Sequence, residues 1–201
     1  ALKISLKTLV EDHPSVATMH NNLGDAYESK GEYDKAIEYL EKALKTRLKT
    51  LGSDHPDVAQ TYNNLGLAHK SKRQYDKAIE YLEKALKISL KTLEENHPNI
   101  AVTYSNLGAI YYSKRQYDKT SEYLEKALKI SLKTLGEYHP SVATMYNNLG
   151  MTYCSKEQYN KAIEYFEKAL KIYENSDLPL NHPNIISIKN SLQIAKSLSN
   201  Q

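Results

Sequence analysis

The chain has 201 residues, 40% hydrophobic and 25% charged, with 27 basic side chains against 24 acidic ones. A net charge of +3 is too balanced to predict nucleic-acid binding, and the single cysteine, Cys154, rules out an internal disulfide framework. With no apolar run near the ~20 residues that span a bilayer, the composition predicts a soluble, cytoplasmic chain with no membrane partner.

Residues 1–9 read ALKISLKTL, and the same nine residues recur at 85–93 and 127–135. In those later copies they close the second helix of a pair, so 1–12 is expected to be half a repeat, helix B only. The chain then opens within a repeat, as a piece cut from a longer array would. From residue 13 a unit of 42 residues repeats. The segment EYLEKALK stands at 38–45, 80–87 and 122–129, and returns as EYFEKALK at 164–171. A word repeated at a fixed interval signals a repeat array. Its Glu, Leu, Lys and Ala are strong helix formers, and Ala36, Ile37, Leu40, Ala43 and Leu44 fall on one face. One such face cannot bury itself; stacked neighbours must cover it.

The units read as 13–54, 55–96, 97–138 and 139–181, with 182–201 as a C-terminal capping helix. His-Pro opens each of them, at 13, 55, 97, 139 and 182. Proline suits the first position of a helix, where its missing N–H costs nothing. Asp12, Asp54, Asn96 and Asn181 precede four of these pairs and are expected to cap the helix. Helix A then runs to about Lys30, Lys72, Lys114 and Lys156. After a short turn, helix B starts near Tyr33, Tyr75, Tyr117 and Tyr159. It ends near Leu51, Leu93 and Leu135, with Gly52 and Gly136 placed for a positive-φ stop. The fourth helix B is expected to stop near Asn175. The last helix, about 183–198, carries Lys189 and Gln193 where earlier copies are mostly apolar or glycine, as a polar end cap should. Thr120 and Ser121 replace the usual Ala-Ile, so the third unit should hold the softest contact. The 17 tyrosines mostly recur with the repeat and are expected to pack between helices.

Within each unit, aromatic-x-x-Leu-Gly-x-x-Tyr is followed by Tyr-x-x-Ala and Ala-Leu. In the second unit these are Tyr62, Leu65, Gly66, Tyr75, Ala78, Ala85 and Leu86, with His69 at the usual tyrosine; in the fourth they include Tyr146, Leu149, Gly150, Tyr153, Tyr159, Ala162, Phe166 and Ala169. This pattern resembles the tetratricopeptide repeat, and the 42-residue length, long second helix, Asn-Asn-Leu-Gly and His-Pro resemble its kinesin-light-chain subclass. The resemblance implies an all-α, right-handed superhelical solenoid of helix–turn–helix repeats, with helix A on the concave side. It also implies a non-catalytic scaffold that binds a protein or peptide in that groove.

The groove face then carries the residues that differ between copies: Asn21, Asp25 and Glu28; Asn63, Leu67 and Lys70; Val102, Ala109 and Tyr112; Asn147, Met151 and Cys154. Beside it run Asn22, Asn64, Asn106 and Asn148. Such an amide ladder can hold the backbone of an extended peptide, or each amide can simply bond the adjacent repeat. The first half of the face is acidic before Lys70 and the second half is apolar, which predicts an apolar anchor toward the C-terminal half. Alternatively, exposed positions simply drift between copies. The His-Pro histidines lie too far apart for one metal site, no phosphate-loop or zinc-protease motif occurs, and Cys154 has no local partner that would mark a nucleophile; no metal, cofactor or catalysis is predicted. The runner-up functions are a self-assembling array, joined head to tail through its ends, and a consensus-like engineered array without a specific ligand.

Overall fold

In the computed structural model, which describes residues 13–176, 179 and 181–200, nine helices are formed and no strand occurs among the described residues. In chain order they are α1 (Pro14–Ser29), α2 (Tyr33–Leu51), α3 (Pro56–Ser71), α4 (Tyr75–Thr92), α5 (Pro98–Ser113), α6 (Tyr117–Leu135), α7 (Pro140–Ser155), α8 (Tyr159–Glu174) and α9 (Pro183–Ser199). Odd-numbered helices are the A helices and even-numbered ones the B helices. The expected half repeat at 1–12, with the Asp12 cap, lies outside the described residues, as do Asp177, Leu178 and Leu180 of the loop before α9.

The N-caps differ from expectation. The capping residue is the histidine of each His-Pro pair and not the Asp or Asn before it. The Nδ1 of His13, His55, His97, His139 and His182 accepts the backbone N–H of Ser15, Asp57, Asn99, Ser141 and Asn184, at 3.1–3.3 Å. Proline follows directly at the first helical position, so the residue before it holds the extended backbone of an N-cap, and that residue is histidine. Asp54 instead pairs with Lys91 of α4.

The A–B turn needs a left-handed residue. Gly31 supplies it in the first hairpin with φ 76°; Arg73, Arg115 and Glu157 adopt φ of 58°, 57° and 59° in the others. Gly52 and Gly136 end α2 and α6 with φ of 84° and 83°, as expected. Each hairpin closes tightly over its helix A glycine. A methyl group on Gly24 would stand 2.6 Å from Leu40 Cγ, and one on Gly150 2.6 Å from Phe166 Cε1. At Gly108 the nearest atom, on Leu124, would be 3.0 Å away.

The tyrosines fasten the same hairpins. Tyr27 stacks on Tyr39, Tyr111 on Tyr123 and Tyr153 on Tyr165, each pair with centroids 5.4 Å apart, and His69 takes the tyrosine's place over Tyr81 at 5.2 Å. Lysines one turn along, such as Lys42 over Tyr39 and Lys126 over Tyr123, cover the outer ring faces.

The helices fall into two compact units that divide between Glu95 and Asn96. The first unit holds α1–α4, and Ala36, Leu40, Leu65 and Ala68 form one of its cores. The second holds α5–α9 around a core that includes Leu124, Leu149, Phe166, Ala169, Ile185 and Ile188. Within each unit a lysine at the end of an A helix clasps an aspartate on the preceding B helix: Lys72 with Asp34, and Lys156 with Asp118 at 2.7 Å. The buried Thr120 and Ser121 keep their hydroxyls satisfied on Gln116 O and Asp118 O.

Candidate functional site

The face of the A helices is built differently in the two units. In the first, most of its polar side chains are already committed. Asn21 is buried and its Nδ2 donates to Asp25 Oδ2 at 3.2 Å. Asn64, from the next A helix, donates to Asp25 Oδ1 at 2.9 Å and lies 3.4 Å from Asn21 Oδ1. Ser71 donates to Glu28 Oε1 at 2.9 Å, tying α3 to α1. Asn64 is thus bonded to the adjacent repeat, through side chains. Asn22 is exposed, and Asn63, Leu67 and Lys70 are half-buried.

A residue from a B helix lies beside this network. Arg47, at the C-terminal end of α2, is only 5% exposed. Its Nη1 donates to Asp57 O at 2.8 Å and to Thr61 Oγ1 at 2.7 Å, both on α3. Burial lowers its pKa, opposed by the charges of Asp57 and Asp25. A guanidinium nonetheless stays charged. Burial, and then the neighbouring Glu28, raise the Asp25 carboxyl above its ordinary value, while Arg47 pulls it down. Arg47 thus joins α2 to α3 by hydrogen bonds and acts on Asp25 of α1 through its charge.

In the second unit the corresponding space is open. α5, α6 and α7 enclose a cavity of about 350 Å³, lined by Ala101, Val102, Ser105 and Asn106 of α5, Ser131, Thr134 and Leu135 of α6, and Thr144, Met145 and Asn148 of α7, among others. Three predicted site residues, Val102, Asn106 and Asn148, come together here. Val102 is 51% exposed, Leu135 42%, and Asn148 is exposed at the rim. The Ser105 Oγ is buried without a hydrogen-bond partner, as is Asn147 Oδ1. Ala109, Tyr112, Met151 and Cys154 lie on later turns of the same two A helices and do not line the cavity. Tyr112 OH is 3.3 Å from Ser155 Oγ, joining α5 to α7. Met151 is 42% exposed, and burial pushes the Cys154 thiol up from its ordinary pKa.

Sequence reasoning placed the face on A helices alone and so missed Arg47 and Ser131 of the B helices; it also passed over Met145, one turn before Asn148 on α7. The available signal was a departure from the repeat: 43–51 reads ALKTRLKTL where 85–93 and 127–135 read ALKISLKTL. Among the described residues no group of three His, Cys, Asp or Glu side chains is arranged to hold a metal ion, and no helix is long and apolar enough to cross a membrane.

A family model described as tetratricopeptide repeat matches residues 1–49, 15–91, 71–130 and 99–175. Among solved structures, the chain is similar to a kinesin light chain-like protein of nearly identical TPR-like repeats from Podosopora anserina, at 29% identity and a TM-score of 0.81, covering 94% of this chain and 89% of that one. It is also similar to BtubC (BKLC) from P. vanneervenii, at 26% identity and a TM-score of 0.82, over 93% of this chain and 74% of that one. The apo form of RapI, at 22% identity and a TM-score of 0.77 over 98% and 75% of the two chains, shares the fold. No curated protein gives a significant match.

Proposed function

Because the chain belongs to the tetratricopeptide repeat family, we propose that it is a non-catalytic interaction scaffold that binds an extended peptide segment of a partner protein along its A helices, with the anchor in the second unit. One observation carries this reading. The packing positions repeat from copy to copy, whereas the A-helix face of the second unit leaves Val102 and Asn148 exposed at an open, largely apolar cavity, with Met151 exposed one turn beyond it. An extended strand offers backbone donors and acceptors at a regular rise, which side-chain amides such as Asn106 and Asn148 can meet without reading sequence. Side chains between those contacts then supply specificity.

A random peptide library selected on the full chain tests this. The selected peptides should lose at least tenfold in affinity when Asn106→Ala and Asn148→Ala are combined. Unchanged affinity for every selected peptide would remove the groove from the account. Head-to-tail assembly is supported less well. It would require α9 to take up a B helix, yet Gln193 stands where complete hairpins have the glycine that lets a Leu or Phe approach.

A further inference from the structure

Two steps of 42 residues relate the units, so Arg47 corresponds to Ser131, Thr61 to Met145, Asn21 to Ser105 and Asp25 to Ala109. The slot between α1, α2 and α3 is filled by the protein's own Arg47. The slot between α5, α6 and α7 is the 350 Å³ cavity, because Ser131 ends at its hydroxyl where Arg47 continues to a guanidinium. The filled slot shows that a long side chain fits there and can reach into the space between the two A helices.

The open slot has also changed its chemistry. If only the arginine were missing, a hydroxyl and a carboxylate would remain to receive a guest cation. Instead Met145 replaces the Thr61 hydroxyl on the wall, and Ala109, one turn beyond the cavity, puts no carboxylate beside it where the first unit has Asp25. Val102 and Leu135 make the rim apolar. A charged guest would be desolvated here with no opposite charge to meet it. An aliphatic or thioether guest would displace water from apolar walls. The volume, at the low end of ligand pockets, suits one such side chain with some adjoining backbone.

We infer that this niche is the specificity subsite for the bound peptide, that it takes one uncharged Leu- or Met-like side chain, and that position 47/131 sets which unit is open: Ser131 admits the guest and Arg47 closes the first unit. The inference rests on the peptide-binding reading above.

The three methionines make a direct test possible, since Met145 lines the niche, Met151 lies beyond it and Met19 belongs to the first unit. The full chain, carbon-13-labelled at the methionine methyls, is titrated with acetyl-Gly-Ser-Leu-Ser-Gly-amide and with versions carrying Arg or Asp in place of Leu. The Met145 signal should shift saturably with the Leu peptide, the charged peptides should bind at least tenfold more weakly, and Met19 should stay still. Ser131→Arg should abolish the Met145 response. Val102→Arg, at an exposed rim position where folding is not at stake, should weaken it at least tenfold. The inference falls if Met145 does not respond, if charged peptides bind equally well, or if both variants respond like the parent. It falls also if Met145 shifts with protein concentration alone, which would make a second copy the occupant. If library-selected peptides still bind through Asn106 and Asn148 while the niche fails these tests, the subsite is lost and the groove stands. If no peptide binds at all, both are lost.

Discussion

Replacing Arg47 tests whether an internal cation holds the first unit's A helices together. Arg47→Ala removes two hydrogen bonds from a charged donor, and each such bond contributes about 1.5–3 kcal/mol before the burial of the donor is counted. Two features reduce the loss. Thr61 Oγ1 still donates to Asp57 O at 2.9 Å, so neither acceptor is left bare, and the cost of burying the guanidinium disappears with it. The net expectation is about 2–3 kcal/mol, which lowers the melting temperature of a chain this long by about 4–12 °C. Arg47→Met keeps much of the stem packing and buries no charge, so it should cost about 1 kcal/mol. The pH dependence has a definite sign. Asp25 has a raised carboxyl pKa in the folded chain, so its ionised form weakens folding at neutral pH, and stability is regained as the pH falls through the folded pKa. Removing Arg47 takes away the charge that opposes this shift. The deficit of Arg47→Ala should therefore be largest at neutral pH and shrink on mild acidification. Thermal and urea unfolding across this range measure both effects, and added ethylguanidinium should restore part of the loss by refilling the slot. If Arg47→Ala unfolds within about 1 kcal/mol of the parent at neutral pH and ethylguanidinium does nothing, Arg47 is not holding the slot.

The hairpin glycines should differ in their tolerance. Gly150→Ala, with its methyl 2.6 Å from Phe166 Cε1, should cost about 1–2 kcal/mol net, whereas Gly108→Ala, at 3.0 Å from a flexible Leu124, should be near neutral because alanine's helix preference offsets the crowding; urea midpoints compare them. Arg115→Gly should stabilise by about 0.5–1 kcal/mol, because relief of the left-handed backbone outweighs the added freedom of the unfolded chain, and calorimetry reads the gain. Cys154, with its thiol pKa raised by burial, should react with iodoacetamide at neutral pH at least tenfold more slowly than free cysteine, and a mass-spectrometric time course decides it.

The helix boundaries were legible in the sequence because they follow from local chemistry. Proline can start a helix but cannot continue one, a left-handed glycine ends one, and the tyrosine that starts each B helix recurs at a fixed interval. The caps were misread for a reason equally local: Asp and Asn are the familiar N-cap residues, and histidine was not weighed as an acceptor, although the proline after it fixes it in the capping position. The candidate site is a different kind of problem. Its location on the A helices could be read from which positions vary, but the state of each position could not. Asn64 and Asn148 are equivalent in the repeat and occupy equivalent places in their helices. Asn64 is bonded to the preceding repeat because Asn21 and Asp25 stand there; Asn148 is exposed where the corresponding residues are Ser105 and Ala109. Arg47 adds a second dependence, since the last turns of a long B helix reach between two A helices and decide whether the space there is filled. One residue's role is thus set by residues 39–43 positions away on another helix, a distance at which no local pattern operates. In an array whose scaffold is written by repetition, a single departure can decide the state of a joint: Arg47, in place of the recurrent serine, packs the first unit's joint, whereas Ser131 leaves the second unit's open.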